Sequence, residues 1–281
     1  MENQKQLDGG NCGATIVAQK VIEPVCSHIT FTGETIIDTN ECSIVITGIS
    51  PDNYSGFSLQ AEFYNKTSDK TMMFSVSGGA ICGIACGSIS SEKVAPGSKA
   101  YESITFYSSD VGAAARYIDY LTDIRLDIRV YDYNDWFAGD FVNESAHIYL
   151  YGEQYATKFV REQLPTDLVL ADNEYATVIV TGYRIDSWGF YLDLFLVNKT
   201  KDKTIMFSTD EEAVNGIMAD PFYATTVRAG DCKFDEMSWY KSSLSEKGIE
   251  TVSSIEFILK VYDYNDFLTD FIYDRVTLTI N

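Results

Sequence analysis

Apolar residues recur at every second position over several short stretches of this chain. Residues 57–64, FSLQAEFY, alternate in this way from Phe57 to Phe63, and residues 123–131, DIRLDIRVY, do so from Ile124 to Val130. Strict alternation is typical of a β-strand that buries one face and exposes the other, and such strands usually belong to antiparallel sheets. The same criterion predicts further strands at 43–49, 71–76, 100–107 and 145–150.

The chain contains two copies of one unit. NKTSDKTMMFS at 65–75 returns as NKTKDKTIMFS at 198–208, identical at 9 of 11 positions, and VYDYND at 130–135 returns at 261–266. The matching segments keep their order, with an offset between 130 and 134 residues. Each copy therefore has the size of a domain and not of a solenoid repeat.

The repeat sets the predicted domain organisation and fold class. We predict four segments: an N-terminal extension at 1–28, a first repeat at 29–151, a linker at 152–170 and a second repeat at 171–281. Six or seven short antiparallel strands in each repeat predict an all-β protein made of two tandem Ig-like β-sandwich domains. We expect at most one short crossover helix in each domain. In the second repeat, Ser243 and Glu246 have the spacing of a capping box, and Gly248 suits a left-handed helix end.

These motifs resemble a known group of proteins. NE…TG, NKTxDKTxMFS, the segment from Asn215 to Phe222 and the RVYDYND-like strand ends look like the tandem Ig-like domains of uncharacterised secreted or lipid-anchored proteins from Gram-positive gut bacteria. The resemblance covers both copies, about four-fifths of the chain. It implies an Ig-like fold and an extracellular or cell-surface location, and it supplies no catalytic residues.

An acidic turn follows the repeated strand end in each copy. Its oxygen-bearing side chains are Asp132, Asn134, Asp135 and Asp140 in the first copy and Asp263, Asn265, Asp266 and Asp270 in the second. Oxygen ligands at alternating positions resemble the start of a Ca²⁺ loop, so calcium is the one candidate cofactor. However, the glycine and terminal glutamate of an EF-hand are absent, and Asp and Asn are also common in ordinary turns. A structural turn is the favoured interpretation, with a weak Ca²⁺ site as the alternative.

Aromatic residues give the strongest lead toward binding. The chain has 3 Trp, 19 Tyr and 16 Phe, and tyrosine offers stiff, half-polar contact area. The candidate ligand-binding residues flank the acidic turns: Tyr133 and Trp136 in the first copy, Tyr264 and Phe267 in the second. For Trp136 and Phe267 a core or loop-anchoring position is the favoured interpretation. Further candidates in the second copy are Trp188, Phe222 and Tyr223. Trp239 aligns with Phe106 and is predicted to lie in the core.

No pairing of a nucleophile with a base points to catalysis. The six cysteines have no counterparts in the other copy, and the sequence leaves their pairing open: Cys12, Cys26, Cys42, Cys82, Cys86 and Cys232. The two histidines, His28 and His147, are isolated in sequence, and His147 is predicted to face solvent from a strand. Zinc binding and His-based hydrolysis need closer groupings. The sequence therefore predicts that the chain is not an enzyme, with a hydrolase built on acidic residues as the least favoured alternative.

The net charge of −20 sets the expected partners and location. Both halves are equally acidic, with 9 basic against 19 acidic residues in 1–150 and 12 against 22 in 151–281. This charge disfavours nucleic acid and anionic membranes as partners. No transmembrane segment is predicted, and the start of the chain lacks the basic and apolar regions of a signal peptide. A surface location therefore implies a leader absent from this chain, and the cytoplasm is the alternative.

These observations predict a non-catalytic extracellular or cell-surface module with a spacer, adhesion or protein-interaction role. One alternative is a carbohydrate- or peptide-binding module that uses exposed aromatic residues, and another is a calcium-stabilised adhesion array. The expected partner is an unknown protein or glycan. The oligomeric state stays open.

Overall fold

The computed structural model describes residues 4–7, 33–53, 56–107 and 121–280, and these are mostly β-strand. The all-β class predicted from the sequence is confirmed. The chain divides into two units, Ile16–Val160 and Arg161–Asn281, with Met1–Thr15 grouped with the second. The predicted N-terminal extension thus supplies a strand, β1 (Gln4–Leu7), to the unit at the other end of the chain.

The first unit has nine strands among its described residues. They are β2 (Glu34–Asp38), β3 (Cys42–Asn53), β4 (Gly56–Asn65), β5 (Met72–Ile81), β6 (Ile84–Cys86), β7 (Ser88–Val94), β8 (Lys99–Phe106), β9 (Ile124–Asp132) and β10 (Asp140–Ile148). One set pairs in the order β2, β3, β4, β8, and the other in the order β10, β9, β5, β7, all antiparallel. β6 pairs with β5, and β7 also meets β8. A 3₁₀ turn, Glu153–Tyr155, follows.

The second unit repeats this order. Its elements are β11 (Leu168–Asp172), β12 (Ala176–Ile185), β13 (Gly189–Asn198), β14 (Ile205–Val214), β15 (Ile217–Met218), β16 (Thr225–Val227), β17 (Cys232–Tyr240), α1 (Lys241–Glu246), β18 (Ser254–Asp263) and β19 (Asp266–Ile280). One set runs β11, β12, β13, β17, and the other runs β19, β18, β14, with β15 and β16 on β14. β1 lies parallel to the outer edge of β19, with Gln4 opposite Thr277 and Leu7 opposite Ile280.

The core of each unit lies between its two sets of strands. In the first unit, Phe63 of β4 stacks on Phe74 of β5 with ring centroids 5.1 Å apart. In the second, one apolar cluster takes residues from β12, β13 and β17 and from β14, β18 and β19. Trp239 belongs to this cluster and donates from Nε1 to the Ala219 carbonyl at 2.8 Å. Its predicted core position is confirmed, and Phe106 is buried at the matching position of the first unit.

The helix starts three residues earlier than its capping signal predicts, since that signal makes Ser243 the N-cap residue. α1 begins at Lys241, and its N-cap residue, Tyr240, makes no capping side-chain bond. The predicted start at Ser243 is therefore wrong. The predicted end is confirmed, since Gly248 adopts a φ of +74° just beyond the helix.

Candidate functional site: two hairpin tips

The acidic turns form the ends of two equivalent hairpins. We call residues 132–140, from the end of β9 to the start of β10, the first tip, and residues 263–270, from the end of β18 into the first residues of β19, the second tip. Tyr131 pairs with Asp140, and Tyr262 pairs with Asp270. At the first tip this pair encloses a loop between the two strands. At the second tip the returning strand carries extra residues between Asp266 and Asp270 that are out of register with β18, so it bulges outward.

Each tip presents two adjacent apolar side chains to solvent. Trp136 is 61% exposed and Phe137 99% exposed at the first tip; Phe267 and Leu268 are 66% and 95% exposed at the second. Adjacent bulky apolar residues exposed in this way are typical of interaction sites. Trp136 and Phe267 were candidates from the sequence, whereas Phe137 and Leu268 were not. Their shared position in the repeat is the signal that would have revealed them.

The carboxylates of each tip hold its backbone. Asp132 Oδ1 accepts the Asn134 N–H at 2.9 Å, and Asp263 Oδ1 accepts the Asn265 N–H at 3.0 Å. One step further along, Asp135 accepts from Phe137 N–H at the first tip, and Asp266 accepts from Leu268 N–H at the second, both at 3.1 Å. These side-chain-to-backbone bonds are the ordinary chemistry of Asp in turns. Here they fix the backbone of the exposed residue itself.

A stack of side chains supports each exposed ring from behind. Trp136 lies against Tyr131 with centroids 5.5 Å apart, and Phe267 lies against Tyr262 at 5.9 Å. The Arg129 guanidinium sits 4.6 Å from the Tyr131 ring centre. Lys260 Nζ lies 5.2 Å from the Tyr262 ring centre. A cation, a tyrosine and an exposed ring therefore follow one another in the same order at both tips.

The NKTxDKT loop lies next to each tip and pairs with its first carboxylate. Lys203 Nζ is 2.5 Å from Asp263 Oδ2, and Lys70 Nζ is 3.8 Å from Asp132 Oδ2. The hydrogen bond from Lys203, together with the Asn265 N–H, lowers the pKa of Asp263, and the pKa of Lys203 is raised in turn. Tyr133 and Tyr264 add backbone bonds to this loop, to Thr71 and Thr204 respectively, both at 2.9 Å.

The remaining candidate calcium-binding and aromatic residues contact other side chains or solvent. Asp140 accepts from Arg129 at 2.8 Å and from Asn143 at 3.0 Å, and Asp270 is exposed. Tyr133 and Tyr264 are 38% and 46% exposed. Within the described ranges, no three His, Cys, Asp or Glu side chains are grouped so that they could hold a metal ion. A calcium site at the tips stays a prediction.

His147 has a partner that the sequence pattern did not reveal. Its Nδ1 lies 2.7 Å from Oδ1 of the buried Asp123, and its ring stacks on Tyr149 at 5.6 Å. The prediction that His147 faces solvent is confirmed, whereas the prediction that it is isolated is wrong. The pairing depends on the register of β9 and β10, which brings residues 24 positions apart together. His28 lies outside the described residues.

The four cysteines within the described ranges are buried. Burial raises the pKa of Cys42, whose thiol lies 3.6 Å from Thr39 Oγ1. Cys82 and Cys86 bond to different groups, the Thr122 hydroxyl and the Ile84 carbonyl, both at 3.4 Å. Cys12 and Cys26 lie outside the described residues, and the pairing of the six stays open.

Comparisons with known proteins give no family. Neither a scan against protein-family models nor a search of curated protein sequences found a match. Among solved structures the chain is similar to red sea bream transglutaminase, with a TM-score of 0.26 and 11% identity. The likeness covers 87% of this chain and 32% of the other, so the chain spans about a third of that protein.

The match corrects one prediction. The sequence predicted that the chain is not an enzyme, and the matched protein is one, so that prediction is not carried further. A likeness of this strength carries no argument about transglutaminase chemistry. As to membranes, none of the helices in the described part of the chain has the length and apolar character that spanning requires.

Proposed function

We propose that this protein is a binding module whose two tips each place an apolar pair into a recess of a partner protein. The observation that carries the proposal is the matched exposure of Phe137 and Leu268, 99% and 95%. Both side chains sit on backbone fixed by an aspartate, in repeats that share the supporting stack. Keeping a fully exposed apolar residue in both copies favours a role in recognition.

The chemistry of the two pairs favours a protein over a glycan at this site. One tip carries Trp136 and Phe137, and the other carries Phe267 and Leu268, so the shared property is apolar bulk and not a flat ring at every position. A protein recess accepts either pair. The aspartates beside each pair, Asp135 and Asp266, favour a recess with a basic rim, and they disfavour an anionic lipid surface.

The tips belong to a fold that we propose to be two Ig-like β-sandwiches at the cell surface. The two sets of antiparallel strands around one core in each unit, in the same order, support the sandwich. The resemblance of the repeated motifs to secreted and lipid-anchored proteins supports the location. The acidic composition is compatible with this role.

A displayed random peptide library tests the proposal, because it samples apolar and basic sequences without a known partner. We expect the full chain to enrich peptides that combine aromatic or aliphatic residues with Lys or Arg. A variant with all four tip residues replaced, W136A/F137A/F267A/L268A, should lose these peptides by at least tenfold in affinity. This corresponds to about 1.4 kcal/mol.

The matched control is Y101A, which removes another exposed aromatic residue, 70% exposed on β8. It should bind the selected peptides as the unmodified chain does. Peptides that bind the four-residue variant equally well, or the absence of any enriched sequence, would refute the proposal.

A further inference from the structure

A second group of aromatic residues lies on the outer face of β13 and β17, away from the tips. The inner face of this pair of strands carries core residues such as Phe190 and Trp239. Because side chains alternate along a strand, their neighbours Tyr191, Ser238 and Tyr240 point outward. Phe222 exchanges backbone hydrogen bonds with Ser238, at 2.7 and 3.4 Å, and so shares their face. We call Tyr191, Phe222 and Tyr240 the aromatic face.

Two rings of the aromatic face are open to solvent. Phe222 is 74% exposed and Tyr240 47% exposed, with centroids 6.4 Å apart. The residue opposite Tyr240 is Gly189. A side chain would not fit there, because its Cβ atom would lie 2.2 Å from the Trp239 carbonyl oxygen. The third ring, Tyr191, is covered by the Arg184 guanidinium at 3.9 Å.

The first repeat has the same strand order as the second but lacks most of these rings, so the fold does not need them. The corresponding bridge there joins Ile89 to Thr105, in place of Phe222 and Ser238. Ser58 takes the place of Tyr191 and lies 3.3 Å from Thr105 through its hydroxyl. Of the three counterparts in the first repeat, only Tyr107, which corresponds to Tyr240, is aromatic. The aromatic face is therefore a feature of the second repeat alone, and packing of the unit does not account for it.

On this face one guanidinium lies between two carboxylates. Arg184 pairs with Glu236 and lies 3.8 Å from Asp193. In a chain with a net charge of −20, this arrangement suits an uncharged ligand with many hydroxyl groups. The guanidinium donates and the carboxylate accepts, so the pair can bond to neighbouring hydroxyls, and the Tyr240 hydroxyl can do both.

The exposed area is too small for a stable protein partner. Unlike the tips, which stand at the ends of hairpins and can enter a recess, these two rings lie on the face of a sheet, where they bury at most about 500 Å² together when fully covered. A protein that packs face to face on a sheet needs about 800 Å² on each side. Sugar rings match the smaller area, since their polarised C–H groups are attracted to the negative faces of aromatic rings. We propose that the aromatic face binds a neutral carbohydrate, independently of the tips.

Affinity electrophoresis in gels that contain barley β-glucan, xylan or galactomannan tests this proposal. At least one of these neutral polysaccharides should retard the full chain. The variant F222A/Y240A should show a dissociation constant at least tenfold higher. The matched control is Y107A, because Tyr107 holds the equivalent position in the first repeat and is also 47% exposed; it should be retarded as the unmodified chain is.

Thermal melting shows whether each variant is folded, and these exposed positions should change it little. Retardation by none of the three polysaccharides, or equal retardation of F222A/Y240A and the unmodified chain, would overturn the proposal. The four-residue tip variant should keep its retardation. If it lost retardation instead, the tips would be the carbohydrate site, and both this inference and the protein-binding role of the tips would fail.

Discussion

Asn198 repeats the hydrogen bonds of Asn65, group for group, in the other unit. Asn65 Nδ2 donates to the carbonyls of Lys70 and Val94 at 2.8 and 2.9 Å, and Asn198 Nδ2 donates to those of Lys203 and Val227 at 2.7 and 2.8 Å. Both side chains are fully buried. Each amide thus joins the loop beside a tip to a neighbouring strand.

Replacement of either buried asparagine by alanine should destabilise its own unit. The two carbonyls lose their donor and stay buried, and each unsatisfied group costs about 1–3 kcal/mol. We expect a loss of about 3 kcal/mol in the free energy of unfolding, measured by urea denaturation of N65A and N198A. N143A is the control, because Asn143 is exposed, and it should change the free energy by less than about 0.5 kcal/mol. Losses below about 1 kcal/mol for both buried positions would contradict the role assigned to them.

The pair of Arg161 and Asp167 should make the second unit sensitive to acid. Burial raises the pKa of Asp167, but the two bonds from Arg161, at 2.5 and 2.7 Å, and the Leu164 N–H outweigh it, so the pKa falls below 3.8. A carboxyl with a lower pKa in the folded chain stabilises it fully above 3.8. That stability is lost as the pH falls through the folded value.

The variant D167N tests this pair by urea denaturation at two pH values. At pH 7 it should lose about 3 kcal/mol, because it leaves Arg161 buried without its charge partner. At pH 3 the difference between D167N and the unmodified chain should be smaller. A difference that is independent of pH would show that the charge of Asp167 contributes nothing.

Calcium should have little effect on melting. Asp132 and Asp263 already face lysines and accept hydrogen bonds from turn backbone. We expect the melting temperature in millimolar Ca²⁺ and in EDTA to differ by less than about 1 °C, since only a ligand that binds the folded state shifts it. A rise of several degrees, lost in D132N/D263N, would instead establish a calcium site at the tips.

The features that depend on local pattern could be predicted from the sequence. Alternation along 57–64 and 123–131 indicates strands because one face of each is buried, and β4 and β9 lie there. Trp239 could be placed in the core because its counterpart, Phe106, is also apolar. The acidic residues beside Trp136 and Phe267 placed these two residues next to a turn, but their high exposure was not predicted, since a core or loop-anchoring position is the favoured interpretation for both.

Features that depend on strand register or on tertiary contacts could not be predicted from the sequence. His147 and Asp123 meet only because β9 and β10 pair in one register. Asn65 and Asn198 look like turn residues in the sequence. Only the fold shows that each side-chain amide donates to a carbonyl of a neighbouring strand. The NE…TG motif aligns Asn40 with Asn173 in the sequence, whereas in the structure Thr39 takes the place of Asn173. Thr39 accepts the N–H of Cys42 just as Asn173 accepts that of Ala176.

Calorimetric titration with a peptide selected on the full chain measures how many peptides each chain binds, and therefore how many tips act as binding sites. If each tip is a separate binding site, the unmodified chain takes up two peptides. W136A/F137A and F267A/L268A should each take up one, and the four-residue variant none. Unchanged binding in the four-residue variant, or a single site that survives the loss of either tip, would contradict a binding role for the paired tips.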